Sequence, residues 1–128
     1  MATTTTTIAD PLGTKLIIDS SANAEAEDDV TTTQTGTIYA CEIDNTKNGV
    51  AVYVKLTEVQ NATSGTNGAA WQFMAPASTK ITYMIPEGVS YNTYLSFWCV
   101  VSPFTTSSES ADSATSPGSD VEVKLLVT

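Results

Sequence analysis

Residues 37–59 read TIYACEIDNTKNGVAVYVKLTEV, two apolar-rich runs on either side of the polar segment NTKNG. Every second residue of each run is apolar, which is the period of a β-strand with one buried face. The side chains that we expect on the buried faces are Tyr39, Cys41, Ile43, Val50, Val52, Val54 and Leu56. Asn48-Gly49 favours the positive φ angles of a tight turn, so this stretch predicts a β-hairpin.

Further short strands are predicted along the rest of the chain. They are residues 15–19, 71–75, 79–85, 94–101 and 121–127. Pro86, Glu87 and Gly88 predict a turn, and the polar segment 105–120 predicts a long mobile loop. In residues 94–101 both alternating sets of side chains are apolar, so both faces of this strand need cover. Helical periodicity is missing from every segment of useful length.

Six or seven short strands predict an all-β chain, folded as a single antiparallel β-sandwich of jelly-roll or immunoglobulin-like topology. The 128 residues fit one domain, with an extended N-terminal arm at 1–14 and the sandwich at 15–128. Cys41 and Cys99 are both assigned to inward faces. We expect two unpaired thiols, because the N-terminus has no secretory signal, and a disulfide between the sheets is the alternative.

The chain is strongly acidic, which limits its partners. Five lysines and fourteen carboxylates give a net charge of -9, and the sequence contains neither histidine nor arginine. Phosphate backbones need clustered cations, so we expect no nucleic acid partner. The apolar stretch at residues 97–101 is far too short to span a membrane, so we expect a soluble protein made in the cytoplasm.

The residues that usually perform catalysis are scarce. Histidine, the commonest general base at neutral pH, is absent, so we expect no enzyme and no cofactor. The carboxylates Glu25, Glu27, Asp28 and Asp29 are typical of a solvated acidic loop. A calcium site there is the alternative, although the spacing of an EF-hand is missing. We therefore assign no catalytic, cofactor or metal residues.

Aromatic side chains are the best candidates for binding. Trp98 falls on the second face of the strand at 94–101, where a two-sheet sandwich would leave it exposed. This placement predicts that Trp98 packs against another subunit. As an alternative, Trp71, Tyr91, Tyr94 and Trp98 could form a platform for sugars.

Two segments resemble a known group of proteins. GTIYACEIDNTKNGVAVYVKL and APASTKITYMIPEGVSYNTYLSFWCV resemble small all-β virion structural proteins of tailed bacteriophages, especially of marine and cyanobacterial phages. The resemblance spans about residues 36–100 and rests on IDNT, a partner strand ending in KL, a PAS turn and PEG before a strand. It implies a non-enzymatic cement or decoration protein on the outer capsid surface, with the major capsid protein and itself, as a trimer, for partners.

The resemblance also implies where contacts lie. The N-terminal arm would grip the shell or a neighbour, and two aromatic residues would lie between subunits. These residues are Thr3, Thr4, Thr5, Thr6, Thr7, Ile8, Tyr94 and Trp98. A tail or neck component of the virion is the first alternative function, and a carbohydrate-binding module that uses Trp71 or Trp98 is the second.

Overall fold

The computed structural model describes residues 15–27, 35–64, 68–92, 94–103 and 115–128. Within them the strands are β1 (Lys15–Ala22), β2 (Gly36–Asp44), β3 (Val52–Thr57), β4 (Trp71–Ala75), β5 (Lys80–Tyr91), β6 (Ser96–Val100) and β7 (Val121–Val127). These strands form two antiparallel sheets that pack face to face. The prediction of an all-β sandwich is confirmed.

The two sheets differ in size and in strand order. The four-stranded sheet has the order β1-β7-β2-β5, and the three-stranded sheet has the order β4-β3-β6. Most connections therefore cross between the sheets, and of consecutive described strands only β3 and β4 are paired. Contacts between residues distant in sequence must form before either sheet is complete.

The core lies between the inner faces of the sheets, where the alternation in the sequence puts apolar side chains. Its central members come from four strands and are Ile38, Cys41, Ile43, Val52, Val54, Leu56, Phe97, Cys99, Val121, Val123, Leu125 and Val127. All of these are 0–1% exposed. The predicted inward phase of β7 is confirmed by its alternating burial. In β3 the predicted inward side chains Val52, Val54 and Leu56 lie in the core, but Lys55 and Thr57 on the other phase are buried too.

The predicted β2–β3 hairpin is wrong. β2 belongs to the four-stranded sheet and β3 to the three-stranded sheet, so residues 45–51 cross from one sheet to the other. The described residues with positive φ other than glycine are Asn61 and Ser78, and the described glycine with positive φ is Gly88. Asn48 and Gly49 therefore do not adopt the left-handed turn, and Val50, expected on a buried face, is 54% exposed in the crossing.

The crossing is held by a buried asparagine. The side-chain amide of Asn45, which is fully buried, donates hydrogen bonds to the carbonyl oxygens of Val50 and Pro76, both at 2.9 Å. The Asn45 backbone N–H donates to the Thr79 carbonyl, also at 2.9 Å. These bonds satisfy backbone groups that no strand can pair at a corner, and they tie the β2–β3 crossing to the β4–β5 crossing.

The predicted turn at Pro86, Glu87 and Gly88 is also wrong, since these residues lie inside β5. Ile38 pairs with Val89 and Ala40 pairs with Met84, so Tyr39 of β2 lies opposite the bulge of residues 85–88. β5 is the edge strand next to β2, where a proline costs no ladder hydrogen bond. The irregular pairing also shifts the phase of β2, because Ile38 rather than Tyr39 is buried in the core.

Predictions on the N-terminal arm fall outside the described residues. The predicted loop at 105–120 is described only from residue 115. Its described end is attached to the sandwich, because the Val101 N–H donates to the Thr115 carbonyl at 3.1 Å and the Ser119 N–H donates to Asn48 Oδ1 at 2.8 Å.

Candidate interaction surface

A row of apolar side chains crosses the outer face of the four-stranded sheet. Leu16 of β1 lies opposite Leu126 of β7, and Leu126 lies opposite Ala40 of β2. Ala40 in turn lies opposite Met84 of β5, so the row spans all four strands. Ile18 lies beside this row on β1. We call these five residues, Leu16, Ile18, Ala40, Met84 and Leu126, the apolar patch.

Three members of the apolar patch are strongly exposed. Leu16, Ile18 and Met84 expose 57%, 55% and 58% of their surface, while Ala40 and Leu126 are half-buried. The residues next to them in sequence, such as Leu125 and Cys41, point into the core. Because successive side chains of a strand point to opposite faces, the residues of the apolar patch point outward. Single exposed apolar residues are common in proteins, but a row across a whole sheet indicates a surface that contacts another molecule.

Charged side chains lie beside the row from Leu16 to Met84, in the next two rows of paired residues, and Lys124 lies directly opposite Ile18 of the apolar patch. Lys80 lies 3.4 Å from Glu42, and Lys124 lies 3.7 Å from Glu42 and 3.4 Å from Glu122. We call these four residues, Glu42, Lys80, Glu122 and Lys124, the ion-pair row. The bond between Lys124 and the Glu122 carboxylate raises the pKa of Lys124 above its ordinary value, and the nearby Glu42 adds to the rise. Exposed pairs of this kind contribute little to stability, about 0–1 kcal/mol each.

The ion-pair row makes the outer face of the four-stranded sheet almost neutral. The paired positions on this face carry three carboxylates and two lysines. These residues are Glu42, Asp44, Glu122, Lys80 and Lys124. Their sum is a net charge of -1, compared with -9 for the whole chain.

A polar cleft lies at the charged end of the same sheet. It has a volume of about 350 Å³ and is lined by Ser20, Asp44, Lys47, Asp120 and Glu122. Within the described ranges, three or more side chains of histidine, cysteine, aspartate or glutamate are nowhere grouped in a way that could hold a metal ion.

Asp44, at the end of β2, is fixed by its neighbour Thr46. The Thr46 hydroxyl donates to Asp44 Oδ1 at 2.6 Å, and the Thr46 N–H donates to the same oxygen at 3.1 Å. These bonds lower the pKa of Asp44, the hydroxyl having the largest effect, and Lys80 and Lys47 lower it further.

The prediction that Trp98 is exposed is wrong. Trp98 lies on the outer face of the three-stranded sheet as expected, but it is only 1% exposed. Segments of the same chain cover it, and it belongs to a second apolar cluster with Ala62 and Val100, against which Ala24, Ala26 and Ala69 pack. The side chain is therefore occupied within its own chain, and its assignment as a contact between subunits loses its basis.

The cover over Trp98 also protects the edge of β6. The Glu27 N–H donates to the Phe97 carbonyl at 2.8 Å, the Phe97 N–H donates back to Glu27 at 3.1 Å, and the Cys99 N–H donates to Asn23 at 2.7 Å. Residues 23–27 thus pair with β6 like a further short strand. The requirement for cover on both faces of this strand is confirmed, and its own chain provides the cover.

The other predicted contact residues have different positions. Tyr94 is half-buried just before β6. Thr3, Thr4, Thr5, Thr6, Thr7 and Ile8 lie outside the described residues. Of the predicted contact residues, the structure therefore describes Tyr94 and Trp98.

The remaining aromatic candidates for sugar binding are not free platforms. Tyr91 is 1% exposed, and its hydroxyl donates to the Thr128 carbonyl at 2.9 Å. Trp71 is half-buried and packs against the core.

Cys41 of β2 and Cys99 of β6 are both unpaired and buried in the core. Burial raises the pKa of each thiol from 9.0 to about 12, and the proximity of Cys99 contributes to the shift of Cys41. The expectation of two buried free thiols agrees with this arrangement. Both thiols stay protonated at neutral pH and are poor nucleophiles.

Comparison with protein-family models, with curated proteins and with solved structures finds no match to this chain. The described residues include no helix long and apolar enough to cross a membrane.

The apolar patch was not predicted from the sequence. Residues 15–19 and 79–85 were each predicted to be strands, but their connection through β7 and β2 was not predicted. The available signal was that Leu16, Ala40, Met84 and Leu126 are apolar at outward phases of four strands. That signal has meaning only once the strand order puts the four side chains in one row.

Proposed function

We propose that this protein is a non-enzymatic structural component of a tailed-bacteriophage virion, best described as a cement or decoration protein that binds the outer capsid surface. The observation that supports a role in binding most directly is the apolar patch. It is exposed on a sheet whose charges are paired, in a chain with no histidine to serve as a base. Such a surface suits permanent contact with another protein.

The two sheets differ in a way that fits this role. The outer face of the three-stranded sheet is closed by the chain itself around Trp98, whereas the four-stranded sheet exposes its apolar patch. The four-stranded sheet therefore exposes the larger apolar surface, while Met74 of β4 is 39% exposed on the other sheet. Many copies of a modest contact are enough to stabilise a shell, because their binding free energies add up over the particle.

A tail or neck component would use the same surface, so the position on the particle is a matter for experiment. A carbohydrate-binding module has less support, because Trp98 is buried and Trp71 packs against the core. The location in the virion and the capsid protein as partner remain proposals that derive from the resemblance of residues 36–100.

Adding purified protein back to phage heads stripped of accessory proteins tests the proposal. We expect binding over the whole shell and a higher melting temperature of the heads. Labelled protein found only at one vertex would support the tail or neck alternative instead. Failure to bind heads or tails, together with retention on a glycan resin, would contradict the proposal.

A further inference from the structure

We propose that the apolar patch is the contact surface for a second copy of this chain, and that two copies pair face to face about a twofold axis through their four-stranded sheets. This inference deepens the proposed structural function by naming the first partner of that surface. It rests on that function only in assuming that the protein works through surface contact.

The geometry of the sheet suits this pairing. The row from Leu16 through Leu126 and Ala40 to Met84 runs across neighbouring strands, so it forms a continuous strip on the sheet surface. Sheets stack face to face at a spacing of about 10 Å when apolar side chains interdigitate. A rotation by half a turn can bring the strip of one copy against the strip of another, and it then buries Leu16, Ile18 and Met84, which are the most exposed members of the patch.

Charge selects a second copy as the occupant. Two chains of net charge -9 repel each other over most of their surfaces. The paired positions on the outer face of the four-stranded sheet sum to only -1, because the ion-pair row neutralises its own charges. This face is where a like-charged copy can approach with little repulsion. The lysines and carboxylates of the row can also pair across the twofold axis, since both signs are present on each copy.

A twofold pair differs from the trimer that the resemblance implies. When the strip of one copy contacts the same strip of a second copy about a twofold axis, the contact is isologous, and the assembly is complete with two subunits. A ring of three needs two different complementary surfaces, and the outer face of the three-stranded sheet is covered by its own chain around Trp98. We therefore expect a dimer.

The mass of the purified full chain in solution tests the inference, measured by light scattering and by sedimentation over a concentration series. The variants are Met84→Lys and Ile18→Lys, which put a charge into the patch, and Met84→Ser, which removes the apolar side chain without adding charge. Val50→Lys is the matched control, because Val50 is exposed to a similar degree, 54%, but lies outside the strands.

We expect the wild type and Val50→Lys to form dimers of the 13.5 kDa chain. Each lysine variant in the patch should weaken the dimer at least about tenfold, and Met84→Ser should weaken it less. Urea unfolding of every variant checks that it is folded. A monomeric or trimeric wild type, or equal weakening by Val50→Lys, would overturn the inference.

The two proposals can fail separately. A wild type that stays monomeric and still binds stripped heads overturns the pairing and leaves the proposed function intact, with the patch free for a different protein. A dimer that is lost in Met84→Lys but does not bind any phage particle supports the pairing and contradicts the proposed function.

Discussion

The side-chain amide of Asn48 donates a hydrogen bond to the side-chain carbonyl of Asn45 at 2.9 Å, and both residues are buried. Asn48 also donates to the Ser119 carbonyl at 3.1 Å and accepts from the Ser119 N–H at 2.8 Å. Its own carbonyl accepts from the Ser78 N–H at 2.8 Å. The two asparagines thus join three chain segments at one corner of the sandwich, where a hairpin was expected.

Asn45→Ala should destabilise the protein by about 2 to 4 kcal/mol. The substitution leaves one amide proton of the buried Asn48, and the partly buried carbonyls of Val50 and Pro76, without their partner. Urea unfolding at neutral pH measures the loss. Asn92→Ala, at an exposed position, is the control and should change stability by less than about 0.5 kcal/mol. Equal effects of both substitutions would mean that the corner bonds do not matter.

Gly88→Ala should destabilise the protein by about 3 kcal/mol or more. Gly88 has a φ of 74°, and an added Cβ would lie 2.1 Å from Thr37 Cγ2 and 2.9 Å from the Tyr39 ring. The left-handed conformation alone costs a residue with a side chain about 1–2 kcal/mol, and the clash adds to that. The melting temperature and urea midpoint measure the effect.

Gly49→Ala is the matched comparison for Gly88→Ala. An added Cβ at Gly49 meets no atom within 4 Å, and its φ is not positive. We expect a neutral or slightly stabilising change, up to about 1 kcal/mol, because alanine restricts the unfolded chain. A strongly destabilised Gly49→Ala variant would instead favour the left-handed hairpin turn that the sequence suggests.

Thr46→Val should raise the pKa of Asp44 toward its ordinary value of 3.8. The substitution removes the hydroxyl that is the largest cause of the lowered pKa, and it keeps the shape of the side chain. A group with a lowered pKa in the folded state stabilises the protein above its ordinary pKa, and this contribution is lost as the pH falls through the folded pKa. The wild type should therefore lose more stability than Thr46→Val as the pH falls below 3.8. An NMR titration of the Asp44 carboxylate measures the pKa directly, and an unchanged value would contradict the assignment.

Cys41 and Cys99 should react slowly with a thiol reagent in the native protein at pH 8 and rapidly in denaturant, because burial raises the pKa of both to about 12. The folded state keeps these protons to higher pH than the unfolded state, whose thiols titrate near 9.0. The stability that the two protonated thiols contribute to the folded state is thus complete below pH 9, and it declines as the pH rises toward 12.

The double variant Cys41→Ala/Cys99→Ala isolates that alkaline effect. It should be less stable than the wild type at pH 7, because cavities form in the core, yet its stability should fall less steeply above pH 9. Parallel pH profiles of the two proteins would show that the thiols do not titrate differently in the folded and unfolded states. Rapid native reaction at pH 8 would show that they are accessible.

Local patterns predicted the strands well but not their partners. The alternation in Val121–Val127 and Val52–Thr57 gives the buried faces correctly, because the period of two is a property of each strand alone. The NTKNG segment has the composition of a turn whether it closes a hairpin or crosses from one sheet to the other. Whether Asn48 and Gly49 close a hairpin or cross to the other sheet depends on Pro76, Thr79 and Ser119, which come much later in the chain.

The exposure of Trp98 was predicted incorrectly for the same reason. A strand that is apolar on both faces, such as Ser96–Val100, needs cover, but its sequence does not say whether the cover comes from its own chain or from another. Here Ala62 and residues 23–27 provide it over Trp98. The exposed side chains of Leu16 and Met84 each appear unremarkable in the sequence, and they matter only as ends of one row.

By itself the sequence determined the all-β class, the acidic surface, the buried free cysteines and the inward phases of the regular strands, because each follows from composition or from the spacing of neighbouring residues. Only the tertiary structure decided which strands pair, where β2 crosses to β3, and which sheet face stays open. These features depend on hydrogen bonds and packing between residues far apart in the chain, as in the bonds of Asn45 and Asn48 to Pro76 and Ser119.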